Sequence, residues 1–237
     1  MASALMNLID VLAYPTDTFT QLNSRPRWLV PFVLFSAVYI IVGWFMLPFS
    51  MHLEYNMLLA RLGPRTANQV LSISERVGDI DLIFKPALLL LKWTFFAAIL
   101  YMLCILLDAA PSLKFRIFFS VIAFSEAIPA FMTVVNILIL YAKGIGSVQN
   151  MTDLQAIIGL DFLMKSKMSN LPLFIFLNSI NVFTIWYVTT LAIGISVITG
   201  FRKIKSTLIV TGAWLLGVAF QMVISAVSSG SPLHPMN

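Results

Sequence analysis

Two charged side chains interrupt long apolar runs, and they are the residues here best placed to do chemistry. Lys92 stands in PALLLLKWTFFAAILYMLCIL and Glu126 in IFFSVIAFSEAIPAFMTVV. A charge at the centre of a bilayer-spanning helix costs about 2.5–3.5 kcal/mol, so such residues pair, line a polar path or reach for the interface. Lys92 falls about six residues into its run and Glu126 about nine into the next. Successive spans run in opposite directions, so the two depths differ by roughly 7–9 Å at 1.5 Å per residue, most of which a lysine stem can cover. Either the two pair inside a helix bundle, or Lys92 snorkels outward while Glu126 stays protonated or hydrogen-bonded. Pro129 removes a backbone donor and frees a carbonyl near Ser125 and Glu126, a break that neighbouring polar groups can satisfy. Thr133 and Asn136 continue near the same face.

Further polar residues recur at helical spacing. Asn178, Thr189 and Ser196 fall along one line, with Asn181 about 60° away. Ala213, Gly217, Gln221 and Ser225 follow at spacing four. Small and polar residues at that spacing let helices approach and hydrogen-bond across the contact, which is the reading for the last ridge. For Asn136, Asn178 and Asn181 an intramembrane polar cavity around Lys92, Glu126 and Pro129 stands beside the packing reading.

No enzyme signature accompanies these groups. His52 and His234 are isolated, without an HExxH pair or partner cysteines, and the single cysteine is Cys104. There is no GxSxG elbow and no phosphate-binding loop, and Gly144-Ile145-Gly146 opens no dinucleotide fingerprint. No aspartate lies inside an apolar run, as an intramembrane aspartic protease would require. No catalytic residue, metal site or cofactor is expected.

The elements that must hold these residues follow from composition. Of 237 residues, 59% are hydrophobic and 11% charged, and the mean hydropathy is +0.93. Soluble domains have about 45–50% and about 25% respectively, so a water-soluble monomer is excluded. The net charge of +5 is scattered between apolar runs, which fits membrane flanks rather than a nucleic-acid patch. A bilayer crossing needs about 20 apolar residues, and five segments qualify: 28–49, 86–107, 117–141, 171–198 and 207–227. The expected fold is all-α, a polytopic bundle of five transmembrane helices (residues 28–227) with short interfacial amphipathic helices. Residues 1–27 form an amphipathic cytoplasmic segment, with Leu5, Leu8, Ile9 and Leu12 on one face and Pro15 opening a second turn with Phe19 and Leu22.

Arg202, Lys203 and Lys205 lie between the last two spans without an acid, and residues 228–237 hold no basic residue. The positive-inside rule then places that loop and the N-terminus in the cytoplasm and residues 228–237 outside. The outside loops, near 50–85 and 142–170, are long enough for interfacial helices of their own. One carries Tyr55, Leu58, Leu59 and Leu62 before a Gly63-Pro64 stop; the other carries Leu154, Ile157, Ile158 and Asp161 after Thr152-Asp153.

The stretch INVFTIWYVTTLAIGISVITG, from Ile180 to Gly200, resembles the fourth span of the Yip-domain family, five-pass membrane proteins named for interaction with Ypt/Rab GTPases in eukaryotes. Its marks are Phe183, Trp186, Gly194 and Gly200. FRIFFSVIAFSEAIP, from Phe115 to Pro129, is similar to the family's basic-aromatic entry into a span. Tyr14-Pro15 with Phe19, Leu22 and Pro26 is similar to its pre-membrane segment. The acidic-aromatic DLYGP-like stretch of eukaryotic members is missing, and the N-terminal segment is short. The resemblance therefore implies the five-span fold and a cytoplasmic N-terminus, in a bacterial inner-membrane branch, without carrying over Rab-type GTPase binding.

Two functions of different kinds follow from these residues. One is a non-enzymatic scaffold or trafficking-like adaptor that organises the membrane, its partners being lipids, a second copy or another membrane protein. The alternative is a small oligomeric transporter, channel or lipid-moving protein using the polar residues around Glu126 and Lys92. Nucleic acid is not an expected partner of either.

Overall fold

The computed structural model describes residues 2–107, 113–164 and 170–229. Among them the chain is built from helices: α1 (Ala2–Ala13), α2 (Pro15–Ser24), α3 (Leu29–Leu62), α4 (Pro64–Leu106), α5 (Phe115–Ser125), α6 (Ala127–Lys143), α7 (Leu171–Ser179), α8 (Val182–Thr199) and α9 (Lys203–Ser229), with short 3-10 turns between α6 and α7. Five helical stretches are long and apolar enough to cross a membrane: α3, α4, α5 with α6, α8 and α9. The α5–α6 stretch is 67% buried against 22–33% for the others. His234 and most of the expected extracytoplasmic tail lie outside the described residues.

The chain divides into two compact units. The first comprises residues 1–31, 92–129 and 158–237. Its core is aromatic: Trp93, Phe118 and Phe124 are fully buried, Trp28 and Trp93 meet Phe119 edge-on, and Tyr101 meets Phe118 at 5.4 Å. The amphipathic N-terminus packs on this core. Pro15 opens α2, whose Phe19 and Leu22 are buried, and α2 lies against α5 and α8. Gly194 makes that docking feasible. A Cβ there would stand 2.6 Å from Val121 Cγ1 and 3.1 Å from the Phe19 ring, so a larger residue would push two helices away.

The second unit comprises residues 32–91 and 130–157. Val42, Phe49 and Leu53 of α3 pack with Ile137 and Leu140 of α6. Tyr141 stands edge-on to Phe49 at 5.0 Å and donates to the Phe45 carbonyl at 3.1 Å. The first long loop does not hold a separate interfacial helix over residues 55–62. α3 runs without interruption to Leu62, Gly63 turns the chain at φ 76°, and α4 starts at Pro64. Gly63-Pro64 does end the helix, but Pro48 and Pro86 lie inside helices. Close packing explains the continuity: a Cβ at Gly43 would meet Leu82 Cδ2 at 2.5 Å, and one at Gly78 would meet Leu47 Cδ2 at 3.0 Å. Glu54, an acid of this loop, accepts a 2.5 Å bond from Ser74 Oγ across the hairpin.

The helix expected from Leu154 to Asp161 does not form either. Met151–Leu154 is one 3-10 turn, held by Asp153 Oδ2 accepting from the backbone of Gln149 and Asn150. Asn136 of α6 then takes over the backbone that follows: its Oδ1 accepts from Ala156 N at 2.8 Å and Ile157 N at 3.3 Å, and its Nδ2 donates to the Leu154 carbonyl at 3.0 Å. Side chains that offer a backbone its hydrogen bonds compete with the helix.

Candidate functional site

α4 and α5 bring the two charges together. Lys92 Nζ stands 2.6 Å from Glu126 Oε1, and Trp93 Nε1 donates to Glu126 Oε2 at 3.0 Å. Glu126 is completely buried, while the Lys92 side chain is 51% exposed. Both carboxylate oxygens are thus engaged from α4, one by an ammonium and one by an indole. Charge-assisted bonds of this kind are the strong ones, and burial of an acid without such partners would cost far more. The spacing of charges in the sequence does not point to Trp93 as a partner. Its signal is a tryptophan within an apolar run, since an indole N–H seeks an acceptor when buried.

The local backbone explains why the acid sits there. Glu126 occupies the junction between α5 and α6, with φ −59° and ψ −15° and its own N–H bonded to the Ile122 carbonyl at 3.0 Å. Pro129 lacks the donor that would close the Ser125 carbonyl into a continuous helix. Ser125 Oγ turns back to the Val121 carbonyl at 2.9 Å.

The remaining polar residues do not join this cluster. Asn136 is spent on the 154–157 backbone in the second unit. Asn178 and Asn181 mark a break in what reads as one helix over 171–198. α7 ends at Ser179 and α8 begins at Val182. Asn181 Oδ1 caps α8 by accepting from Thr184 N at 3.0 Å, and its Nδ2 donates to the Asn178 carbonyl at 2.9 Å. Asn178 Nδ2 in turn donates to Asp161 Oδ1 at 3.1 Å, which also accepts from Gly159 N at 2.7 Å. Asp161 has no exposed surface, although in sequence it reads as an ordinary loop acid. Thr189 and Ser196 are also occupied locally, on the Ile185 and Phe201 carbonyls. The expected line of Asn178, Thr189 and Ser196 is therefore split by the break.

Two further stretches find their places. Phe183 and Trp186 are partly buried on α8, and Gly200 ends that helix in the left-handed conformation at φ 74°, its N–H on the Ser196 carbonyl. Glycine adopts that conformation without penalty and is the common helix stop. On α9, Ala213, Gly217 and Gln221 line a groove of about 290 Å³ together with Lys92, Pro129, Tyr187 and Trp214; Ser225 bonds locally to the Met222 carbonyl. Among the described residues, no group of three metal-ligating side chains converges.

The described residues form helices and no strand, five of the helical stretches are long and apolar enough to cross a membrane, and an ion pair joins α4 to the α5–α6 junction: this is a polytopic membrane protein. A family model described as Yip1 domain matches residues 9–224, and the chain belongs to that family. No curated protein and no solved structure matches it. The family is not a known enzyme family.

Proposed function

We propose that this protein is a non-enzymatic scaffold that organises the membrane it spans. The observation that carries the reading is the closure of Glu126: the acid has no exposed surface and spends both oxygens on Lys92 and Trp93. A carboxylate that carried ions would need a wet approach. This one joins two helices instead. The packing of α1 and α2 supports the same reading. α1 packs on α2 and α5, and α2 on α5 and α8, with Leu8, Val11, Phe19 and Leu22 buried, while Met6, Ile9 and Tyr14 stay 65–70% exposed. That leaves an apolar surface able to lie in the headgroup layer.

The N-terminus is proposed to be cytoplasmic and the membrane a bacterial inner membrane, with lipids and a second copy or another membrane protein as partners and no Rab-type GTPase among them. The test is reconstitution of the full chain into liposomes with ion-flux and lipid-flux assays, alongside crosslinking in cells. The expected result is no flux in wild type or in Glu126→Gln, with a membrane-protein partner recovered. Flux that disappears in Glu126→Gln would replace the scaffold with the oligomeric transporter or lipid-moving protein.

A further inference from the structure

The N-terminal half of α4 carries an apolar stripe that stays open among the described residues. Ile73, Val77, Ile80 and Phe84 are each 52–63% exposed. At about 100° per residue they fall within about 60° of one another. They lie on the opposite side of α4 from Gly78 and Leu82, which pack on α3. Their spacing of four, three and four is that of the d and a positions of a heptad. The same register continues through Ala87 and Leu91, both exposed.

Exposed apolar side chains within the bilayer are covered by lipid, but this stripe extends past it. Glu75, Arg76, Asp79 and Asp81 interleave with it, and the apolar run begins only at Pro86. α4 is one helix from Pro64 to Leu106. At about 1.5 Å per residue, Ile80 lies about 9 Å and Ile73 about 20 Å before Pro86 along its axis. The headgroup layer is only about 5–8 Å deep on each side of the membrane. An apolar stripe that reaches into water is a contact surface.

The flanks of the stripe identify the partner. Arg76 occupies a g position and Asp81 the e position that follows, about 140° apart around the helix, so they do not meet within one chain. Among the described residues Arg76 has no ion-pair partner, and Asp81 engages Lys85 through one oxygen, Oδ2, at 2.6 Å. In a parallel, in-register pair of helices, a g residue faces the e residue five positions on in its partner. Two copies of this chain in one membrane share direction and depth, because the same spans and flanking charges set both. Their α4 helices are therefore parallel and in register. Arg76 of each copy then meets Asp81 of the other, twice about the two-fold axis. Confinement to the membrane also raises the effective concentration of the second copy, which so short a stripe requires.

We propose that the α4 stripe over residues 73–84 pairs two copies of this protein as a parallel coiled coil, its register set by Arg76 and Asp81. The inference specifies the second copy named among the scaffold's partners and rests on that part of the reading; membrane flux bears on the scaffold and leaves the pairing untouched.

The test uses the full chain, coexpressed with two different affinity tags and extracted from membranes in mild detergent. Arg76→Glu alone sets acid against acid at both contacts, and Asp81→Arg alone sets cation against cation. Each should lower recovery of the second tag about tenfold. When the two single variants are coexpressed, unlike charges face each other at both contacts, and recovery of one by the other should return to the wild-type level. Damage to the monomer would not be rescued in this way. Oxidation then locates the contact. Val77→Cys and Ile80→Cys should give disulfide-linked dimers, while Glu75→Cys on the far side of α4 should not; the native Cys104 is buried. The proposal is overturned if the mixed variants are recovered no better than each with itself, or if Glu75→Cys crosslinks equally. It is also overturned if neither Val77→Cys nor Ile80→Cys crosslinks, which would assign the stripe to lipid or to a different protein.

Discussion

The first unit contains two broken helices, each built around a completely buried acid, and the two breaks work differently. At the α5–α6 junction Glu126 is met by a cation and an indole from α4, a neighbour in space but not in sequence. At the α7–α8 break Asp161 is met by a backbone amide two residues away and by the carboxamide of Asn178. The first acid ties two membrane-length helices together. The second knots a loop to the helix ends beside it: Leu160 N donates to the Ile180 carbonyl, and a Cβ at Gly159 would stand 2.5 Å from the Asn178 carbonyl oxygen. A charge pair between helices makes the break part of the bundle, whereas an acid held by neutral donors makes it a local corner.

Mutations should separate these two modes. The largest effect is expected from Glu126→Ala, which leaves Lys92 and a buried Trp93 N–H without their acceptor. Two charge-assisted hydrogen bonds are lost, together about 3 kcal/mol, while the freed Lys92 is itself half-exposed; the loss is read as a fall in the thermal midpoint in detergent. Lys92→Met/Glu126→Gln should recover most of that loss. If the double variant is no better than the single one, the pair is not what couples α4 to α5. Asp161→Ala is expected to cost less, about 1–3 kcal/mol, because two neutral donors lose their acceptor. Proteolysis near residues 158–181 should accelerate while α4 and α5 stay protected, and equal protection of both regions would erase the distinction drawn here. Asn181→Ala removes the cap of α8 and should cost about 1 kcal/mol. Thr189→Ala should stay within about 0.5 kcal/mol, since its exposed hydroxyl only turns back on the Ile185 carbonyl. A larger loss at Thr189 would revive a polar path along α8.

How far the sequence could be read differs between these breaks for a physical reason. Lys92, Glu126 and Pro129 are conspicuous because charge and missing backbone donors are expensive in an apolar run, and rise per residue alone brings the two charges within reach. Asp161 gives no such signal: loop acids are common, and only the approach of Gly159 and Asn178 takes it out of solvent. Asn178 and Asn181 stand out as polar residues within a span, yet their spacing suggests a shared line along one helix. A cap at Asn181 breaks that helix and turns the line into a corner. Asn136 misleads in the same way, pointing toward an intramembrane site while its carboxamide serves the 154–157 backbone.

From the sequence alone came the all-helical class, the five membrane-length helices, the Gly63-Pro64 stop and the family, because hydrophobic run length and glycine or proline punctuation are local properties of the chain. Only the tertiary structure decided that α3 and α4 extend through the first loop, that the second loop stays non-helical, and that Trp93 completes the hold on Glu126. It also decided that the small residues of α9 line a groove beside Lys92. Each of these depends on which side chains arrive from elsewhere to fill a space or satisfy a hydrogen bond, and periodicity along one segment carries no record of that arrival.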